Sequence, residues 1–260
     1  MSKLPHESSH IKGFLKDDNI CLIDADSLVY YEMDKNTYEE AVYGLDKRID
    51  HILKQCNTTK FAGFLTEGRC FRYGVAEDYK GNRKGKPKPP IFYALKQYLK
   101  QEYGCWGIPI LEADDLVSYY ANTDTRKFII CSPDKDVLFQ CYGTHYNYRT
   151  TEFLHTSPED AIKFLWKQAL MGDSVDGIPG LPGVGDKTAT NWLKSRTKDF
   201  EGFTLRKYVE KFGMIKGLFK FHETFRLVYL LRDKQDVMRE ANIKLPPLKV
   251  LHRESLEDSW

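Results

Sequence analysis

The chain has 260 residues, 42% of them hydrophobic and 29% charged, with a net charge of +2. A chain of this length buries a large core, as one big domain or as a domain plus a lobe. No apolar run approaches the roughly 20 residues of a membrane span, and so small a net charge does not by itself announce a nucleic-acid partner.

Residues 1–18 read as a polar lead-in without an apolar signal core. A strand is predicted over Asn19–Ala25, then a helix over Tyr38–Gln55 whose stripe is Val42, Leu45, Ile49, Ile52 and Leu53. A second strand covers Lys60–Thr66. Arg72 to Pro90 is irregular, basic and rich in Gly and Pro, and Ile91–Tyr103 is helical again. A third strand is predicted over Ile108–Leu111, a helix over Ala113–Ala121, a fourth strand over Lys127–Ser132, and an edge pair over Thr144–Arg149 and Glu152–His155. This alternation argues for a parallel α/β sheet with helices on both faces. Ser157-Pro158-Glu159-Asp160 starts a helix that runs to about Met171. A Gly/Pro-rich hairpin leads into a helix at about Asp186–Ser195. Helices at about Leu205–Phe212 and Lys216–Arg232 follow, and the tail from Asp233 shows no strong periodicity.

The four apolar runs each end in acid: Asp24 and Asp26; Glu67; Glu112, Asp114 and Asp115; Asp134 and Asp136. If the runs are parallel strands, these carboxylates collect at the edge where open α/β sheets bind ligands. Crowded carboxylates repel one another and require a positive counter-charge. Oxygen-only ligation suits Mg²⁺ or Mn²⁺ rather than Zn²⁺. The plain alternative is that each acid caps a helix or turn.

Charge is also segregated. Between Tyr79 and Lys100 stand seven Lys/Arg and no acid. Lys80, Arg83, Lys84, Lys86 and Lys88 are too dense to bury and face solvent or phosphate, and Tyr79, Phe92, Tyr93 and Tyr98 are placed to stack on bases. In GDSVDGIPGLPGVGDKTA, the helix beginning near Asp186 offers free N–H groups to a phosphate, with Lys187 in its first turn and Asp173 and Asp176 upstream to join the acids. The HExxH match at His6–His10 lies in a polar terminus without a third ligand and is set aside, as are the Asn57 sequon and a near-P-loop at Gly180–Thr188. Six cysteines form no CxxC pair and read as reduced core or surface thiols of a cytoplasmic protein. One rival explains Asp24 and Asp26 differently: the DxD of a haloacid-dehalogenase-type phosphatase, with Asp24 as nucleophile. It leaves Glu67, the EADD run, the basic segment and the hairpin unexplained.

Together these strings resemble the 5′-nuclease superfamily: flap endonucleases, the 5′-nuclease domain of bacterial DNA polymerase I, and phage 5′→3′ exonucleases and RNase H. DYKGNRK is similar to the arch-entry motif, EADD to the central acidic motif, SPDKD to the fourth-strand motif, and GDSVDGIPGLPGVGDKTA to the helix–hairpin–helix signature. The compact arch and D-A-D start look most like the exonucleases of short-tailed phages. The resemblance implies a PIN-like nuclease domain over 19–156 with a basic arch at 72–100. A helix–hairpin–helix DNA-binding lobe over 157–235 and a tail over 236–260 would follow the 1–18 extension. It implies a metal-dependent 5′→3′ exonuclease or flap endonuclease with two Mg²⁺, for which Mn²⁺ substitutes, roughly 4 Å apart. One ion would sit near Asp24, Glu67, Glu112 and Asp114, and the other near Asp134, Asp136 and Asp173, with Asp115 and Asp176 supporting. Lys80 and Arg83 would contact the scissile phosphate. Gly183, Gly185 and Lys187 would grip the duplex backbone, with a K⁺ ion at the hairpin. The implied partners are duplex or branched DNA with a 5′ end, RNA–DNA hybrid and replication proteins. The chain would act as a monomer in the cytoplasm, that of the host if phage-encoded. Two departures stand out: Glu67 where the family usually has Asp, and Gly177 where it has Asn. A non-catalytic DNA-binding module would keep the hairpin and lack the acids.

Overall fold

The structure is a computed structural model that describes residues 18–83, 85, 87–124 and 126–253. The HExxH string, Lys84, Lys86 and the last seven residues lie outside the described residues. In chain order the elements are β1 (Ile20–Asp24), α1 (Ala25–Glu32), α2 (Tyr38–Gln55), β2 (Lys60–Phe64), α3 (Arg72–Val75), a 3₁₀ turn (Gly81–Arg83), α4 (Pro90–Tyr103), α5 (Ala113–Thr123), β3 (Phe128–Cys131), α6 (Lys135–Gln140), β4 (Gly143–Asn147), β5 (Glu152–Thr156), α7 (Pro158–Met171), β6 (Gly172–Asp173), β7 (Ile178–Pro179), α8 (Asp186–Leu193), α9 (Phe200–Phe212), α10 (Met214–Val228), α11 (Lys234–Ala241) and β8 (Leu251–His252). No described helix is long and apolar enough to cross a membrane.

The chain divides into two compact units. Unit 1 takes the described residues of 18–69, 88–157 and 230–253, and unit 2 those of 70–87 and 158–229. The first turn of the basic segment therefore groups with the C-terminal helices, and the tail returns to the sheet.

Unit 1 carries a sheet of order β5-β4-β3-β1-β2-β8. β1 pairs in parallel with both β2 and β3, β3 pairs in parallel with β4, and the two edge strands β5 and β8 are antiparallel. The expected mainly parallel α/β sheet is what the structure has. Chain order leaves β1 on one side to make β2 and crosses to the other to make β3, so the C-terminal ends of these strands flank a switch point. β1 is buried throughout, as a strand covered on both faces must be. The stripe of α2 (Ala41, Leu45, Ile49, Ile52, Leu53) packs into one core with Cys21, Ile23 and Ile129. Thr37 caps α2 by accepting from the Glu40 N–H at 3.1 Å.

The third strand expected at Ile108–Leu111 is absent from the sheet. That segment meets the end of β2 only through single bridges, Phe64 to Trp106 and Glu67 to Pro109. Its own chemistry stops it: Pro109 has no N–H to donate, Ile110 sits at φ +84°, and Gly107 lies so close that a Cβ there would fall 1.9 Å from the Leu65 carbonyl. The sequence reading also missed α1 and α6, both short and both opened by an aspartate at a strand end. The tail, where no strong periodicity was read, contains α11, capped by Asp233 through the Gln235 and Asp236 N–H groups at 2.7 and 2.9 Å, and β8.

Unit 2 is helical around a small hairpin. Leu165, Trp166, Tyr208, Phe221 and Leu227 share a core with Cys70 and Tyr79. β6 and β7 form a two-stranded hairpin between α7 and α8. α9 begins at Phe200, five residues before the periodicity suggested, and Gly213 at φ +82° turns the chain into α10, which stops at Val228.

Candidate active site

Three strand ends of unit 1 bring acids to one edge. Asp24 ends β1, is 2% exposed, and caps α1 by accepting from the Ser27 N–H at 3.4 Å. Its Oδ2 accepts from the hydroxyls of Ser27 (2.7 Å) and Ser132 (3.0 Å). Ser132 Oγ in turn accepts from the Asp134 N–H at 3.0 Å, so one hydroxyl links the acids that follow β1 and β3. Asp134 caps α6, its Oδ1 accepting from the Asp136 N–H at 2.7 Å. Burial pushes the Asp24 carboxyl up to about 7, reinforced by the charges of Asp26 and Asp134.

Asp26, whose role the sequence left open, accepts from the Thr66 N–H at 2.9 Å and pairs with Lys96 at 3.1 Å. Glu67, just past β2, pairs with Lys100 at 2.7 Å. Glu112 and Asp115 form a capping box at the start of α5, with the Glu112 N–H donating to Asp115 Oδ2 at 3.2 Å. Asp115 is buried, and its Oδ1 accepts from the Leu231 N–H at 3.3 Å, which gives it a part in holding Glu112 and Asp114 in place. Asp24 and Asp134 start helices just past the C-terminal ends of parallel strands, because a parallel strand hands the chain to a helix there.

The donor set is oxygen, at an edge where burial and then neighbouring acids have raised one carboxyl, and this fits a hard divalent cation. The spacing is open. Oxygens sharing one ion at about 2.1 Å stand within about 4.2 Å of each other, and among the described residues no three carboxylates lie within 4.8 Å. The group of three that does is Cys21, Cys56 and Cys131. All six cysteines are buried and free, which leaves none of the expected surface thiols. Burial pushes the thiols of Cys56 and Cys131 well up, so they are protonated core residues. A hollow of about 460 Å³ lined by Asp18, Lys60, Arg126 and His252 lies at the start of the strands and is not this site.

In unit 2 residues 80–83 meet the loop that joins β6 to β7. Arg83 donates to Asp176 at 2.6 Å, Lys80 stands 3.7 Å from the same carboxylate, and Asn82 donates to the Val175 carbonyl at 2.8 Å. Asp173 is buried and accepts from the Val175 N–H at 2.9 Å. Gly177 sits at φ +69°, a conformation open to glycine and asparagine alike, which explains why either serves there. Gly185 caps α8, and a Cβ built on it would meet nothing within 4 Å. No internal contact requires that glycine. Lys187, in the first turn of α8, is exposed.

Three of the four stacking aromatics are corrected. Tyr79 is 3% exposed in the unit 2 core, Phe92 is buried in unit 1, and Tyr98 donates to Asp46 at 2.8 Å. Tyr93 is 62% exposed. Arg83 is exposed, but the aromatics beside the basic residues were free to go into the core. Sequence reasoning also passed over Ser27, Thr66, Lys96 and Lys100. The Asp-x-x-Ser spacing signalled the first; nothing local signalled the others.

A mostly parallel sheet with acids following its strands at a switch point places this chain among the open α/β folds, which bind ligands at that edge. The chain belongs to the 5′-3′ exonuclease family: the model of its N-terminal resolvase-like domain matches residues 19–164. It is 34% identical to a 5′-3′ exonuclease of Buchnera aphidicola over 57% of this chain and 58% of that one. It is 29% identical to DNA polymerase I of Bacillus subtilis over 67% of this chain and 23% of the polymerase. The chain therefore spans little more than half of one relative and under a quarter of the other. Its fold is similar to that of the bacteriophage T5 D15 protein co-crystallised with metal ions, with a TM-score of 0.65 at 19% identity, covering 82% of this chain and 89% of that one.

Proposed function

We propose that the chain is a divalent-metal-dependent hydrolase of phosphodiester bonds near the 5′ ends of DNA, acting as a 5′→3′ exonuclease and flap endonuclease. The observation that carries this reading is the buried Asp24, linked through Ser132 to Asp134 at the switch point and raised to about 7 by burial and by neighbouring acids. A carboxyl in that state is short of positive charge. Asp24, Glu67, Glu112 and Asp114 would hold one Mg²⁺; Asp134 and Asp136 would hold a second, with Asp115 supporting and Mn²⁺ substituting. Bound ions supply an activated water and stabilise the leaving 3′ oxygen. The T5 D15 structure with metal ions supports the metal requirement.

Lys80 and Arg83 would neutralise charge developing on the scissile phosphate. In the free protein they rest on Asp176, so the phosphate replaces one anion by another. Gly183, Gly185, Lys187 and the N–H groups of α8 would hold duplex backbone, with K⁺ at the hairpin. Contacts of that kind carry no sequence information. The relative named DNA polymerase I supports a task in DNA replication. That task would be the removal of primers, RNA–DNA hybrid or flaps, carried out by a monomer in the cytoplasm.

A Mg²⁺ titration on 5′-labelled nicked, blunt and flapped substrates tests the reading: short 5′ products must appear only with the ion. Asp134→Ala is expected to abolish those products while duplex affinity stays within about twofold; undiminished turnover would remove the metal assignment. Lys187→Ala should weaken duplex binding evenly across sequences and lower the slope of log K against log salt by about 1. An unchanged slope would take Lys187 out of the duplex contact. A phosphatase using Asp24 would instead yield a trapped phospho-aspartate and no nicking.

A further inference from the structure

Thr66 is the last residue before Glu67, and all three of its polar functions are tied to different elements. Its N–H donates to Asp26 Oδ2 on α1 at 2.9 Å. Its carbonyl accepts a short bond from Lys96 Nζ on α4. Its hydroxyl accepts from the N–H of Ala113, the first residue of α5, at 3.0 Å. Lys96 closes the loop by pairing with Asp26 Oδ1 at 3.1 Å, and its side chain is only 13% exposed, which removes it from the reach of a solvent-borne phosphate. The residues held next to these anchor points are acids of the site. Asp24 stands two positions before Asp26, Glu67 follows Thr66, and Glu112 precedes Ala113.

A further lysine belongs to the same arrangement. Lys100, one helical turn beyond Lys96 on α4, pairs with Glu67 Oε1. One face of α4 therefore fixes both the backbone before Glu67 and its carboxylate. The longer Glu arm, which freely rotating would place its oxygen less accurately than Asp, is steadied from outside. Both Asp26 oxygens are already engaged, one by an N–H and one by an ammonium, so Asp26 serves as a support.

We propose that Asp26, Lys96 and Thr66 form a positioning clamp that sets the spacing of the carboxylates of Asp24, Glu67 and Glu112, and through it the affinity for a divalent ion, without any of the three touching that ion. This rests on the metal-dependent reading above. Groups that orient metal ligands from behind typically change metal affinity by 10- to 100-fold when removed.

Mn²⁺ binding to the DNA-free protein, followed by the electron paramagnetic resonance of the free ion, tests the clamp in Thr66→Val, Thr66→Ser, Lys96→Met and Lys96→Arg. Duplex affinity without divalent ion is measured beside it. Thr66→Val and Lys96→Met are expected to weaken Mn²⁺ binding about 10-fold and to raise the Mg²⁺ concentration for half-maximal cleavage in step, with duplex affinity unchanged. Thr66→Ser keeps the hydroxyl and should stay within about twofold of the parent, and Lys96→Arg should recover part of the loss. Adding Asp26→Asn to Lys96→Met should cost little more than Lys96→Met alone, because the two act as one unit. Should Thr66→Val fail to fold, the Lys96 pair decides. If the parent binds Mn²⁺ and cleaves while Lys96→Met binds it equally well, the clamp is overturned. A parent that neither binds Mn²⁺ nor cleaves overturns the nuclease reading instead.

Discussion

Asp24→Asn is expected to abolish cleavage and, in metal-free buffer above pH 7, to make the protein more stable. The first effect follows from the ligand set proposed above. Taking one anionic oxygen from the proposed metal site would forfeit about 3–4 kcal/mol of transition-state charge stabilisation, a factor of about 10² to 10³ in rate. The second follows from linkage. Asp24 titrates near 7 in the folded chain against an ordinary 3.8, so the folded state holds a proton that the unfolded state releases. The stability this contributes is complete below about pH 4, is lost as pH rises toward 7, and stays lost above it. Asparagine has no proton to lose and caps α1 equally well. Its advantage therefore opens between about pH 4 and 7 and then levels off at about 10 °C in Tm. Calorimetry in EDTA from pH 4 to 8, set beside single-turnover cleavage, checks both halves. Turnover within tenfold of the parent, or parallel Tm curves across that range, would contradict the account. A cation competes with the same proton, so Mn²⁺ binding to the parent should tighten as pH rises through about 7.

Arg72→Ala is expected to cost about 3–5 kcal/mol, concentrated in unit 2. Arg72 is 2% exposed, among the most deeply buried large side chains. Its Nε donates to the Leu227 carbonyl at 2.9 Å and its Nη2 to the Tyr229 carbonyl at 2.8 Å, at the end of α10. The guanidinium also covers the Phe71 ring at 4.6 Å. Truncation strands two carbonyls, each worth about 1–3 kcal/mol when left unpaired, and opens a cavity. Lysine offers one point of charge where a planar fork spans two acceptors, so Arg72→Lys should recover only a fraction. Hydrogen exchange read by segment is the measurement. Protection should fall across 158–229 and 70–87 and persist in β1 to β3. A loss below about 1 kcal/mol, or one spread evenly over both units, would show that Arg72 is not the tie between residues 70–87 and α10. Because Lys80 and Arg83 ride on that segment, the variant should also lose their alignment on Asp176.

The legible parts of this fold were those written in short-range pattern. β1, β2 and β3 were readable because parallel strands buried on both faces are continuous apolar runs. The stripe of α2 and the Ser157-Pro158 start of α7 were readable because periodicity and helix-start signals act within a few residues. Ile108–Leu111 misled because an apolar run records burial, whereas strand pairing also needs N–H groups and extended φ, which Pro109 and Ile110 deny it. Tyr79 misled for a related reason. Its neighbours Lys80 and Arg83 are polar, but one residue along a turn reverses the direction of a side chain.

By itself the sequence determined which residues carry charge, that the acids follow apolar runs, and that a Gly/Pro hairpin precedes a helix start. Those facts rest on local sterics and on the alternation of apolar and polar positions, and they were enough to reach the family. Only the tertiary structure decided that Ser132 joins Asp24 to Asp134, that Arg72 binds carbonyls 155 and 157 residues away, and that Asp26 and Lys96 close on Thr66. Apart from the Ser132–Asp134 link, those contacts join residues far apart in the chain. Their partners are chosen by the packing of whole elements, and no local propensity encodes that choice.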